Sequence, residues 1–98
     1  MGSKSILDKV NYILQAAINK DDSPECLLKL HEYTEEHTDH MILGRVWGWS
    51  VSDYAIAAMK WIGTKEANAL YSEITGKLPE HRKLEIEKLI SSELYKQY

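Results

Sequence analysis

The chain has 98 residues, a net charge of −3, six Tyr, three Trp, no Phe and one cysteine. That length makes one domain, residues 1–98, able to bury a core without covalent staples. A lone Cys26 excludes an intrachain disulfide and a multi-cysteine zinc site, 44% hydrophobic content excludes intrinsic disorder, and the acidic balance lacks the basic footprint of a general nucleic-acid binder.

Met1-Gly2-Ser3-Lys4-Ser5-Ile6 departs from a myristoylation signal at Ile6, where Ser or Thr is wanted. The stretch after it lacks the apolar core of a signal peptide. No run approaches the roughly 18 apolar residues of a membrane span. The expectation is therefore a cytoplasmic protein without membrane association.

The first helix is predicted over Ile6–Asn19. Ile6, Leu7, Val10, Ile13, Leu14, Ala17 and Ile18 recur at helical spacing and form one apolar stripe. Ser5 with Asp8 reads as its capping box, and Lys20-Asp21-Asp22-Ser23 as the turn after it. Pro24, following Ser23, opens a second helix. It is expected to run to about Leu43 and stop at Gly44. Its apolar side is Leu27, Leu30, Thr34, His37 and Met41, widened by Cys26, Tyr33 and Ile42.

Arg45-Val46-Trp47-Gly48-Trp49 reads as a loop packed by its own aromatics. The third helix, Val51–Ile62, is the most apolar, and Ala55, Ala57 and Ala58 allow a neighbour to approach closely. Gly63-Thr64 leaves only two residues before the fourth helix, Lys65–Thr75, which must fold back antiparallel. Its buried face is expected to be Ala67, Leu70, Tyr71 and Ile74. Gly76 ends it. Pro79 opens a fifth helix with apolar positions Leu84, Ile86, Leu89, Ile90 and Leu94, and with Glu80, Arg82, Lys83, Glu85, Glu87 and Lys88 mostly on the solvated side. No segment alternates β-branched and polar residues, so no sheet is expected. The fold class is all-α: a compact single-domain bundle of four to five helices with a tight antiparallel hairpin at residues 51–75.

Residues 63–79 resemble the second helix of a tetratricopeptide repeat, with Ala67, Tyr71 and Pro79 at matching intervals. Ile74 stands where a small residue is usual, the preceding turn is one residue short, and no second copy follows. Single helical hairpins converge on this pattern, and membership of that family is not assigned.

Charge is concentrated in residues 21–40. Asp21, Asp22, Glu25, Glu32, Glu35, Glu36 and Asp39 face one basic residue, Lys29, giving this window −6 and the remaining residues +3. Glu32, Glu35, Glu36 and Asp39 form either a solvated helix face or a docking surface for a basic partner. Trp47 and Trp49 divide similarly, as core side chains or as exposed anchors of an interface. Tyr95 and Tyr98 are a fraying end or a tail docked on the bundle.

Glu36, His37 and His40 lie within one helical turn and offer two or three ligands to a divalent cation. The spacing is neither that of a zincin helix nor that of a di-iron bundle. The plainer reading places His37 half-buried and His31 and His40 in solvent. A pH-sensitive interaction is a third option for histidines beside carboxylates. Cys26 lies in the first turn of a helix, where the dipole lowers a thiol pKa, but a small buried apolar residue is the simpler expectation. There is no Gly-x-Ser-x-Gly elbow, and Gly44-x-x-x-Gly48 lacks the rest of a phosphate loop.

The reading reached is a non-enzymatic protein-protein interaction module, of inhibitor, immunity-type or adaptor kind. Its contact residues would be Glu32, Glu35, Glu36, Asp39, Trp47 and Trp49. The partner is another protein with a basic patch; no cofactor and no nucleic acid are expected. Two alternatives stand beside it: metal binding or hydrolysis at Glu36, His37 and His40, and a structural homo-oligomer subunit.

Overall fold

A computed structural model describes residues 6–35, 45–46 and 49–93. The described residues form five helices: α1 (Ile6–Asn19), α2 (Pro24–Thr34), α3 (Val51–Ile62), α4 (Lys65–Thr75) and α5 (Glu80–Ser92). A minimal ladder precedes α3, formed by β1 (Arg45–Val46) and β2 (Trp49–Ser50). The radius of gyration is 12.3 Å, close to the roughly 12–13 Å of a compact chain of this size.

The organising element is α3. Every residue in it except Lys60 is buried. The other four helices all pack chiefly on it, and less on one another. Its small residues make this possible. Ala55, Ala57 and Ala58 are fully buried and keep the helix thin, so several neighbours can reach it.

Each peripheral helix contributes an apolar face. From α1 come Val10, Ile13, Leu14 and Ala17, at the spacing that aligns one side of a helix. Cys26, Leu30 and Tyr33 come from α2, and Ala67 from α4 with half-buried Leu70, Tyr71 and Ile74. The α3–α4 turn is as tight as its sequence requires. Gly63 adopts φ +74°, a left-handed conformation that costs glycine little. Thr64 then caps α4, its hydroxyl accepting from the backbone N–H of Ala67 at 3.3 Å.

Several expectations are corrected. Among the described residues α2 stops at Thr34, well short of Leu43. The Thr34 carbonyl accepts from Ser52 Oγ at 2.8 Å. The Glu35 N–H bonds back to Glu32 in a tightened last turn. The predicted absence of a sheet also fails: β1 and β2 pair antiparallel, with Arg45 opposite Ser50 and Val46 opposite Trp49. A two-residue ladder is too short for an alternating pattern to announce it. Ile18 and Leu84 sit on expected apolar stripes but are exposed.

The end of α1 carries no glycine. Lys20 takes the left-handed conformation itself, at φ 50°. Its N–H bonds to Ala17 and that of Asp21 to Ala16, the paired bonds of a Schellman turn. The Lys20 ammonium then donates to the Trp61 carbonyl in the last turn of α3, at 3.1 Å. A cation there meets the negative end of the helix dipole.

Candidate interaction face

On α2, Ser23 is the N-cap, with its hydroxyl accepting from the Cys26 N–H, and Pro24 opens the first turn. Asp21 Oδ1 accepts from the Ser23 N–H at 3.1 Å, which holds that carboxylate beside the helix start. With Cys26, Leu30, Tyr33 and Thr34 turned inward, helical geometry turns Glu25, Leu28, Glu32 and Glu35 outward. Their spacing of three, four and three residues makes one straight stripe. All four are exposed, and Leu28 is 62% exposed in the midst of the carboxylates.

Lys29, the basic residue of this helix, is half-buried, with its ammonium 5.7 Å from the centre of the Tyr33 ring. Tyr33 in turn meets Tyr12 of α1 edge to face, ring centres 6.1 Å apart. This cation is therefore spent on an aromatic face rather than on the outward carboxylates.

Of the sequence-proposed contact residues, Glu32 and Glu35 stand on this stripe. Glu36, Asp39 and Trp47 lie outside the described residues, as do His37 and His40 of the metal alternative and the tail with Tyr95 and Tyr98. Trp49 is half-buried and packs against the core. The Ser52–Thr34 bond fixes the start of α3 against the last turn of α2. Glu35 and the β1–β2 ladder consequently share one end of the molecule.

Cys26 is buried, and burial pushes its thiol pKa upward, with the Asp21 charge adding to the effect. This matches the simpler expectation of a small buried residue, and desolvation outweighs the helix start. Tyr12 shares a side-chain hydrogen bond with Cys26, and its hydroxyl is pushed up to about 12, chiefly by burial. Both groups are held in their neutral forms.

Two pairings escaped the sequence reading. Asp53 is buried within α3 and pairs with Arg82 of α5 at 2.7 Å. Arg82 had been assigned to the solvated side; its side chain is only 19% exposed. A single carboxylate in a helix apolar on every side was the available signal, since such a group requires a cation. The Trp61 indole N–H donates to the Ile90 carbonyl at 3.0 Å, a second α3–α5 bond.

A shallow depression of about 540 Å³ lies on α5, lined by Leu84, Glu87, Lys88, Ser91 and Ser92. Its polar groups do not pair a nucleophile with a base. Among the described residues no three His, Cys, Asp or Glu side chains converge on a metal position. No described helix is long and apolar enough to cross a membrane. No family model, curated protein or solved structure matches the chain.

Proposed function

We propose that this chain is a non-enzymatic protein-protein interaction module, acting as an inhibitor, immunity-type protein or adaptor. Its contact surface is the outward stripe of α2, and Trp47 and Trp49 are assigned to it from the sequence. The observation that supports this most directly is Leu28, largely exposed and bracketed by Glu25, Glu32 and Glu35. A leucine in that position contributes nothing to the core. Covered by a partner, its side chain would gain about 1.5–3 kcal/mol of hydrophobic stabilisation. The surrounding carboxylates favour a basic surface and accelerate encounter with it. Glu36 and Asp39 extend the same acidic sequence, and Trp49 brings an aromatic edge to the same end of the molecule.

The test is affinity capture from the native host with the wild-type chain and two variants. One reverses charge at Glu32, Glu35, Glu36 and Asp39; the other is Leu28→Ser. Proteins captured by the wild type should be lost with the charge-reversed chain and weakened with Leu28→Ser. Capture of the same proteins in the same amounts by all three chains would overturn the reading.

A further inference from the structure

Among the described residues three large hydrophobic side chains stay exposed: Ile18 on α1, Leu28 on the α2 face and Leu84 on α5. Leu84, 51% exposed, borders the depression on α5. Glu87, Lys88, Ser91 and Ser92 line it as well, at the spacing of one side of a helix. The charges of Glu87 and Lys88 cancel, so this surface attracts neither sign. It suits an apolar or aromatic occupant, unlike the acidic face of α2.

The end of α5 decides which segment is nearest. Glu93 takes φ 52° and ψ 41°, and its N–H bonds to the Ile90 carbonyl at 3.2 Å. Lys20 ends α1 in the same way, with its N–H on the Ala17 carbonyl. A left-handed residue at this point turns the chain off the helix axis, and an apolar residue directly after it packs back on the last turns. After Glu93 that residue is Leu94. The side chains such a turn offers it are Leu89 and Lys88, and Lys88 is already a wall of the depression. The chain continues as Tyr95-Lys96-Gln97-Tyr98. Leu84 lies about 14 Å back along the helix from Glu93, and five extended residues span about 16–18 Å. Both tyrosines are thus within reach of Leu84.

We infer that residues 94–98 fold back along α5 and fill this depression, with a tyrosine ring of the segment on Leu84. The occupant is the chain itself, on a surface separate from α2, so the inference does not depend on the partner proposed for that face.

Nuclear magnetic resonance on the full chain tests this. The Leu84 methyl protons should show Overhauser contacts to ring protons of Tyr95 or Tyr98, and the ring should shift those methyls upfield. Tyr95→Ser combined with Tyr98→Ser should remove the contacts and return the methyls to ordinary leucine positions. In urea, Leu84→Ala should lower the folding equilibrium constant about fivefold in the wild-type chain and less than about twofold in the double-serine chain, the coupling of side chains in contact. Leu84 methyls without a contact to either ring would overturn the inference, as would equal effects of Leu84→Ala in the two backgrounds. So would contacts that pass only between labelled and unlabelled chains in a mixture, because the occupant would then be a second copy.

Discussion

The Arg82 guanidinium of α5 lies 2.7 Å from Oδ1 of Asp53, a carboxylate sealed inside the central helix. Charge burial on this scale is tolerated only with a partner. Arg82→Met should therefore destabilise the protein by about 2–4 kcal/mol, because it removes the cation that faces the buried Asp53 carboxylate. The double variant Asp53→Leu with Arg82→Met should recover most of that loss, since neither partner is left ionised in the interior. Urea unfolding of the three chains measures this. A double variant as unstable as Arg82→Met would refute it.

Lys20 has two opposing effects. Its ammonium caps the end of α3, while its own backbone sits at φ 50°. Lys20→Ala keeps the unfavourable conformation and loses the cation, costing about 1 kcal/mol. Lys20→Gly loses the cation but relieves a conformation that costs an L-residue roughly 1–2 kcal/mol. Thermal denaturation should rank Lys20→Gly above Lys20→Ala. The reverse order would show that the left-handed turn carries no strain.

Alkali should weaken the fold before it ionises the folded interior. Tyr12 is raised from 10.0 to about 12 in the native state, and Cys26 is raised from 9.0. As pH climbs through 9 and 10 the unfolded chain releases these protons while the folded chain keeps them. The unfolded state then binds fewer protons, so stability falls with rising pH. For Tyr12 the fall should extend from about pH 10 to about 12. Urea midpoints across this range measure it, and Tyr12→Phe should flatten the slope. A native thiol that reacted with an alkylating reagent as fast as the unfolded chain would contradict the burial of Cys26.

Leu28 and Leu30 lie two residues apart on α2 and face opposite environments. Leu30 is fully buried and Leu28 is exposed. Leu30→Ala should cost about 2–5 kcal/mol through lost burial and a cavity. Leu28→Ala should stay within about 0.5 kcal/mol. Chemical denaturation distinguishes them, and comparable losses would mean that Leu28 is covered in the isolated protein.

Helical periodicity was enough to place α1, α3 and α4 with their observed ends, because Gly63 and Thr64 leave little freedom between two apolar stripes. It was not enough for α2. The run from Pro24 to Leu43 satisfies local rules, but α2 ends at Thr34, whose carbonyl accepts from Ser52, eighteen residues away. The β1–β2 ladder is likewise shorter than any pattern that could reveal it. On the candidate face, the carboxylates of Glu32 and Glu35 were legible as composition. Leu28 was not, since an outward leucine and an inward one look alike until the neighbouring helices are in place. The same limit hid Asp53 and Arg82, whose pairing joins elements 29 residues apart.

Because α3 supports every other helix, the order of synthesis has a consequence. As the nascent chain leaves the ribosome, the stripes of α1 and α2 emerge without the surface they cover. Residues 51–62 must follow before either can settle, and until then Val10, Ile13, Leu14 and Leu30 face water or a chaperone. Productive collapse is thus a late event, set by translation of the chain's second half.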